Sequence, residues 1–352
     1  MTLSKLGWNS VHQKAWNQLD RGPHLPARVI EVQKNTWRVA SEDGEFLARL
    51  SGRLWHRLVN SQDWPTVGDW VEAEAAGMIG VIVAVLPRRS KLSRKVAGRR
   101  TQEQIVAANI DTVFVVTALD GDFSPRRLER YLTVIWEGGA QPVIILNKAD
   151  LCADVEGLQM EVEVASPGVS VYAISARDAV GLDQLQPHLR GGSTIALVGS
   201  SGVGKSTLTN QLCGFDRQPV RAIADDGRGR HTTTSRSLIV LPSGALLIDT
   251  PGMRELQLWA TEEGLNSTFE DIDQLATHCR FRDCRHIDEP DCAVLGALSD
   301  GTMPQDRYDS FLKLRKELAF LERKQNAWAE LENKRKWKMI HKAHRATPKR
   351  KF

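Results

Sequence analysis

The segment Gly199–Ser206 has the sequence Gly-Ser-Ser-Gly-Val-Gly-Lys-Ser and matches the G-x-x-x-x-G-K-[ST] pattern of a phosphate-binding loop. A predicted strand, 194–198, precedes it and an apolar-periodic helix follows, as this loop requires. Glycines let backbone N–H groups wrap a phosphate, and the helix N-terminus favours negative charge. Lys205 is expected to reach the β- and γ-phosphates and Ser206 to bind Mg²⁺. The residues predicted to contact nucleotide are Gly199, Ser200, Ser201, Gly202, Val203, Gly204, Lys205, Ser206 and Thr207.

A second motif, Asn147-Lys148-Ala149-Asp150, follows the predicted strand 142–146 and favours guanine over adenine. Guanine presents two neighbouring donors, N1–H and N2–H₂, and the Asp150 carboxylate can accept both. The Lys148 stem can cover the base, and Asn147 can tie this loop to the phosphate loop. Ser175-Ala176 follows the strand 169–174, where a backbone N–H can face guanine O6.

A third group of residues has the chemistry of a magnesium site and a switch. Asp249-Thr250-Pro251-Gly252 follows the strand 245–248, so Asp249 can hold Mg²⁺ through water and the Gly252 N–H can contact the γ-phosphate. The preceding segment 227–234 is polar and glycine-rich, as expected for a loop that orders on nucleotide. One of its threonines should complete the Mg²⁺ shell, and the spacing leaves open which one: Thr232, Thr233 or Thr234.

The order of these motifs along the chain differs from that of Ras-type GTPases. There the phosphate loop comes first, whereas here Asn-Lys-x-Asp and Ser-Ala precede it. The set is complete but rotated, which indicates a circular permutation. The permuted chain still contains six predicted strands, so its sheet is expected to form the same nucleotide pocket.

Three thiols and one imidazole lie within 14 residues, in the spacing Cys-x4-Cys-x-His-x5-Cys. Cys₃His is a common closed tetrahedral set for structural Zn²⁺. The sequence therefore predicts one structural zinc ion, because four protein ligands leave no open position for catalysis. The predicted ligands are Cys279, Cys284, His286 and Cys292, while Cys152 and Cys213 are interpreted as core residues.

The composition excludes several classes of protein and indicates a polyanionic partner. With 41% hydrophobic and 26% charged residues, the 352-residue chain is typical of globular proteins. No run approaches the roughly 18–20 apolar residues of a membrane span, so a cytoplasmic protein with no membrane association is expected. Residues 86–100 carry seven basic and no acidic side chains, and residues 334–352 carry nine and none. Basic strips beside an acidic middle segment favour nucleic acid as the partner.

The pattern of apolar runs predicts a multidomain α/β chain. About five short alternating runs indicate a small β-barrel; the oligonucleotide-binding (OB) barrel fits the size, as other small barrels do. Most tryptophans near the N-terminus are interpreted as packing residues, with one or two possible stacking platforms for bases. Six apolar runs with intervening helices predict a doubly wound, largely parallel sheet. The expected segments are an N-terminal helical extension 1–24, a barrel 25–87, a basic connector 88–104, a permuted GTPase domain 105–265 and a zinc-binding helical segment with a basic tail 266–352.

Taken together, the motifs resemble the bacterial ribosome small-subunit-dependent GTPase (RsgA/YjeQ) family. The resemblance covers about residues 25–300 and also includes Gly-Arg-His-Thr-Thr-Thr in the switch. It implies an N-terminal OB fold, a circularly permuted GTPase domain and a C-terminal zinc domain. It further implies Mg²⁺-dependent hydrolysis of GTP to GDP, stimulated by the 30S subunit during late 30S maturation. The implied partners are the 30S subunit and its 16S rRNA, and other 30S assembly factors are further candidate partners. The chain is expected to be a monomer.

The catalytic residue and the RNA contacts are hypotheses, and an alternative function is open. Met253 follows Asp-x-x-Gly where Ras-type enzymes carry a water-orienting Gln, so His231 is the candidate catalytic residue, although a solvent-facing role fits equally well. The alternative function is a nucleotide-gated RNA-binding module with incidental hydrolysis. The candidate RNA contacts are Arg88, Arg89, Lys91, Arg94, Lys95, Lys334, Arg335, Lys336 and Lys338.

Overall fold

The computed structural model describes residues 2–19, 24–33, 35–58, 61–75, 79–95, 103–120, 123–215, 236–249 and 262–323. The strands are β1 (Leu25–Gln33), β2 (Thr36–Ser41), β3 (Gly44–Leu50), β4 (Trp70–Glu74), β5 (Gly80–Val85), β6 (Lys91–Lys95), β7 (Glu103–Ala108), β8 (Thr112–Ala118), β9 (Gln141–Asn147), β10 (Ser170–Ala173), β11 (Thr194–Val198), β12 (Arg236–Val240) and β13 (Leu246–Asp249). The helices are α1 (Ser10–Asn17), α2 (Gly52–Arg57), α3 (Pro125–Glu137), α4 (Val155–Ala165), α5 (Lys205–Cys213), α6 (Glu262–Thr268), α7 (Glu270–Ala276) and α8 (Ala293–Ser299). Residues 305–323 are also helical, and short 3-10 turns lie at Leu3–Leu6, Ser61–Asp63, Ala149–Leu151 and Leu182–His188.

The first five strands close into a barrel in the order β1-β2-β3-β5-β4-β1. Only β3 and β5 pair in parallel among these five strands, and the other pairs are antiparallel. Alternate residues of the strands fill the interior, including the fully buried Val29, Val39, Val71 and Ile82. This closed five-stranded barrel confirms the predicted OB-type architecture.

The six predicted strands of the nucleotide-binding sheet are all present, in the order β10-β9-β8-β11-β13-β12. The first five run parallel and β12 is antiparallel to β13. Alternation along β8 divides the core, because Val113 and Val115 pack in one layer with α3 while Phe114 and Val116 pack in another with α5. The carboxyl ends of the parallel strands therefore meet at one edge, where ligands bind in such sheets.

Helix boundaries in this sheet follow local sequence signals. Helix α3 begins with Pro125 at its first turn and ends before Gly138, and α5 ends at Cys213, before Gly214, which is left-handed with φ of 72°. Proline at the first turn and glycine after the last are common helix boundaries. The N-terminal extension is less helical than predicted. Helix α1 begins after Asn9, whose side chain accepts from the Val11 and His12 amides, and it ends at Asn17.

The barrel is joined to the sheet by backbone pairing and by one buried arginine. Strand β1 pairs with β12 at Glu31–Ser237 and Val32–Arg236, so one sheet continues from the nucleotide-binding domain into the barrel. The Arg28 guanidinium, 1% exposed, donates to the carbonyls of Leu6, Gly68 and Asn109. Burial lowers its pKa to about 10, which leaves it protonated at neutral pH. Arg28 therefore connects the N-terminal extension, the barrel and the GTPase sheet.

The C-terminal part is attached to α3 by a second buried arginine. Arg307 contacts Glu129 at 3.0 Å and Asp271 at 2.8 Å, and it lies over the Phe269 ring at 4.4 Å. Glu129 also accepts from the Ser310 hydroxyl. Burial of a charged side chain is costly unless it is paired, and here each charge has partners.

Within the described parts of the chain, no helix has the length and apolar character to cross a bilayer.

Replacing Arg28 tests how far the domain arrangement depends on this contact. We expect Arg28→Ala to lower the free energy of unfolding by about 3 kcal/mol, because buried carbonyls lose their donor at about 1–3 kcal/mol each. Urea midpoints followed by tryptophan fluorescence measure the change. Arg38→Ala is the matched control in the same barrel, where the Arg38 and Glu31 side chains are 42% and 23% exposed and a change within about 0.5 kcal/mol is expected. Equal midpoints for the two variants would contradict the proposed role of Arg28.

Candidate nucleotide site and metal centre

The phosphate loop lies between β11 and α5, and its glycines are packed too closely for side chains. Gly199 and Gly204 have φ of 143° and 96°. A Cβ atom would lie 2.1 Å from the Val116 carbonyl oxygen at Gly199 and 2.2 Å from Asn147 Nδ2 at Gly204. Helix α5 begins at Lys205 with no side-chain cap, so its first amides are available to an anion. This backbone geometry suits a phosphate group.

The Asn147 side chain joins the phosphate loop to the predicted base-binding loops. Its Nδ2 donates to the Val203 carbonyl at 2.7 Å, and its Oδ1 accepts from the Ala176 amide at 2.9 Å. Asn147 is 2% exposed, so both hydrogen bonds are shielded from water. The predicted tie between Asn147 and the phosphate loop is therefore present. The Ala176 N–H donates to the buried side chain of Asn147, and the contact of a backbone N–H of Ser175-Ala176 with guanine O6 stays a prediction.

The remaining predicted base contacts lie around this asparagine. Asp150 is exposed in the 3-10 turn Ala149–Leu151, and its carboxylate makes no hydrogen bond or ion pair with any described residue. Lys148 has φ of 64° and its Nζ lies 2.8 Å from Asp120 Oδ2, at the end of the neighbouring strand β8. The Ser175 hydroxyl donates to Asp178 at 3.0 Å and closes the loop that carries Ala176. The carboxylate of Asp150 is thus free to accept from a base.

The phosphate side holds the predicted cationic and magnesium residues. Lys205 Nζ donates to the carbonyls of Gly199 and Ser200, so its ammonium lies over the loop. Ser206 and Thr207 follow on the first turn of α5 and are half-buried. Asp249 ends β13, the strand that pairs with β11 directly before the loop. An acid and a hydroxyl beside a phosphate loop can bind Mg²⁺. The predicted residues His231, Thr232, Thr233, Thr234 and Gly252 lie outside the described residues.

One residue beside the phosphate loop has no signal in the sequence. Arg127, on the first turn of α3, donates from Nη1 to the Ser200 hydroxyl at 2.8 Å. The two residues are 73 positions apart, and no motif connects them. Only the packing of α3 beside the strand ends brings this guanidinium to the loop.

The four predicted metal ligands converge. Their ligand atoms all lie within 4.8 Å of one another. Cys279 Sγ is 3.8 Å from Cys292 Sγ and 3.6 Å from His286 Nδ1, and His286 Nδ1 is 3.4 Å from Cys292 Sγ. Zinc–ligand bonds of about 2.3 Å to sulfur and about 2.0 Å to nitrogen in a tetrahedron give edges of this length. The donor set and its spacing fit a structural zinc ion, which would organise the loop before α8.

Three basic residues at the start of the connector are paired within the protein. The Arg88 guanidinium binds both carboxylate oxygens of Asp69 at 2.7–2.8 Å and donates to the carbonyls of Gln62 and Trp64. Lys91 pairs with Glu103 at 2.7 Å, and Arg89 pairs with Asp111. The Arg88 donors hold the barrel loop in place, and its contact with RNA stays a prediction.

The other RNA-contact candidates are more open or are not described. Arg94 donates to Gln104 at 3.0 Å across the ladder between β6 and β7. The Lys95 side chain and the tail residues Lys334, Arg335, Lys336 and Lys338 lie outside the description.

Comparison with known proteins agrees with this geometry. A family model described as RsgA GTPase matches residues 85–259. A second model, described as ABC transporter, matches residues 182–347, a span that includes the same phosphate loop. Loops of this pattern occur in many nucleotide-binding families, so the second match adds only that shared feature.

Two relatives and two solved structures extend the similarity over nearly the whole chain. The chain is 44% identical to the small ribosomal subunit biogenesis GTPase RsgA of Opitutus terrae, covering 98% of both chains. It is also 44% identical to that of Syntrophotalea carbinolica, covering 97% of this chain and 96% of the relative. The crystal structure of YjeQ from Thermotoga maritima matches with a TM-score of 0.65 and 28% identity, over 84% of this chain and 99% of that one. YloQ, described as a circularly permuted GTPase, matches with a TM-score of 0.63 and 26% identity, over 85% and 96%.

Guanine selection by Asp150 can be tested by changing one atom. We expect Asp150→Asn to lose affinity for GDP by about 100-fold or more, because a site built to accept two donors then presents an amide. The same variant should gain affinity for xanthosine diphosphate, whose 2-carbonyl can accept from that amide. Titration with fluorescent analogues of both nucleotides measures the switch. Asp183→Asn, an exposed carboxylate outside the motifs, is the control, and unchanged GDP binding in Asp150→Asn would refute the assignment.

Proposed function

The chain belongs to the RsgA GTPase family, and we infer from this that it is a GTPase of small ribosomal subunit biogenesis. It hydrolyses GTP to GDP and phosphate in the maturation of the 30S subunit. The observation that carries this function is the Asn147 side chain, which holds the base-recognition loops against the phosphate loop. A cluster of three cysteines and one histidine supplies a zinc site in the C-terminal part.

In the proposed complex, the loop 199–206 and Lys205 hold the β- and γ-phosphates, and Asp150 accepts from guanine. Ser206, Asp249 and one threonine of 232–234 would hold Mg²⁺, which when bound neutralises charge on the phosphates. Water attacks the γ-phosphorus, the bond to the β-bridging oxygen breaks, and GDP leaves with that electron pair. Because Met253 cannot orient this water, intrinsic turnover is expected to be slow.

We assign the orientation of the attacking water to His231. An imidazole in a switch loop can position water or accept its proton at neutral pH. The segment 216–235 leads directly into β12, and β12 pairs with β1 of the barrel. Contact of the barrel with the 30S subunit would thus change the position of the switch segment through β12. This accounts for a ribosome-stimulated rate.

The proposed partners are the 30S subunit and its 16S rRNA, in the cytoplasm, with this chain acting as a monomer. Other 30S assembly factors could share the same surface. Arg94 and Lys95 in the connector and the basic tail 334–352 are the first proposed RNA contacts, whereas Arg88, Arg89 and Lys91 also make ion pairs within the protein. An acidic GTPase domain would be repelled by phosphates, so docking falls to these segments and to the barrel.

Binding to the 30S subunit should depend on the nucleotide. We expect the full-length protein to bind purified 30S subunits at least about fivefold more tightly with a non-hydrolysable GTP analogue than with GDP, the lower end of ordinary allosteric coupling. Cosedimentation over a range of protein concentrations measures both affinities. Absence of 30S binding in either state would refute the proposed function.

The role of His231 is tested by two substitutions. We expect His231→Ala to reduce 30S-stimulated hydrolysis by about 100-fold, the lower range for a positioned acid or base, while GTP affinity stays unchanged. His231→Gln should recover part of the rate, because an amide can also orient water. Single-turnover phosphate release with saturating 30S subunits gives the rates. A wild-type rate in His231→Ala would show that another group orients the water.

A further inference from the structure

The barrel carries an open cleft beside an exposed tryptophan, remote from the nucleotide loops in the chain. Its volume is about 450 Å³, and it is lined by Asn35, Thr36, Arg49, Leu50 and Trp55. These residues come from the β1–β2 turn, the start of β2, the end of β3 and helix α2. In five-stranded barrels of this type, the β2–β3 face and its adjoining loops are the surface that binds oligonucleotides.

The Trp55 ring is held in place although much of it is exposed. Helix α2 is capped by Ser51, which accepts from the Leu54 amide at 3.1 Å, and Leu54 is buried in the barrel. The Trp55 and Trp64 rings lie 4.8 Å apart at 61°, while 44% of Trp55 stays exposed. A fixed aromatic surface of this kind can stack on a base with little loss of side-chain entropy.

Arg49 lines the cleft beside this ring and has no acidic partner among the described residues. Arg49, Arg53 and Arg57 are exposed, and none makes an ion pair or side-chain hydrogen bond with any residue that the structure describes. This contrasts with Arg38 and Arg88 of the same region, which are paired with carboxylates. No acidic residue occurs between positions 46 and 62. An unpaired arginine beside an exposed aromatic ring favours a phosphate backbone carrying a stacked base over an apolar peptide.

We propose that the Trp55 cleft binds one unstacked base of single-stranded RNA, with a flanking phosphate on Arg49. The source of this RNA, the rRNA of the small subunit, rests on the proposed function. The cleft supplies the stacking and charge that the paired connector residues do not.

A fluorescently labelled single-stranded oligoribonucleotide of ten residues, titrated into the full-length protein, tests the cleft. We expect Trp55→Leu, which keeps apolar contact with Trp64, to weaken binding roughly 5- to 100-fold, as for loss of one stacked base. Its salt dependence should stay that of the wild type. Arg49→Ala should instead reduce the slope of log affinity against log salt by about 0.7, the value for one phosphate contact on a single strand.

Phe215→Leu, an exposed aromatic residue 59% accessible at the end of α5, is the matched control and should bind like the wild type. GDP affinity and circular dichroism check that each variant is folded. Oligoribonucleotide affinity of Trp55→Leu within twofold of the wild type would overturn the proposal. Retained RNA affinity with lost 30S binding would also overturn it and assign the cleft to a protein segment. Because the titration uses no ribosome, it decides the cleft even if the proposed function fails.

Discussion

The site depends on one buried amide, that of Asn147. A nucleotide has a fixed length, so the loop that binds its phosphates and the loops that bind its base must be held at a fixed separation. Asn147 does this with two shielded hydrogen bonds, one to Val203 in the phosphate loop and one from Ala176 in the base loop. Gly204 has to lack a side chain because Asn147 occupies the space where its Cβ would be. The same contact is reached in spite of the permuted order, since strand ends, and not chain order, determine which loops meet.

The permutation also determines how the other parts of the chain are attached. Strands β12 and β13 follow the phosphate loop, and β12 lies at the edge of the nucleotide-binding sheet, where β1 of the barrel pairs with it. The C-terminal part packs on α3, which also carries Arg127 beside the phosphate loop. Arg28 and Arg307 secure these two attachments as buried charges with satisfied donors. The barrel and the C-terminal part are thus both attached to elements that border the nucleotide.

Local features were predictable from the sequence, and long-range pairs were not. The bounds of α3 and α5 follow from Pro125, Gly138 and Gly214, and the zinc ligands follow from a spacing that brings them into one loop. The pairing of Arg88 with Asp69 was not predicted, because a run of basic residues gives no sign of a carboxylate that lies 19 positions earlier. Arg127 and the exposed surface of Trp55 also depend on tertiary packing, which charge and periodicity along the chain do not encode. The predicted switch residues lie outside the described residues, so their roles stay predictions.

We propose that contact with the small subunit activates hydrolysis at a pocket assembled around Asn147. Steady-state GTP turnover by the full-length protein, alone and with saturating purified 30S subunits, tests this. We expect a slow intrinsic rate and a stimulation of about 100-fold, the contribution of a catalytic side chain that is brought to the attacking water. Equal rates with and without 30S subunits would contradict it and favour a nucleotide-gated RNA-binding protein.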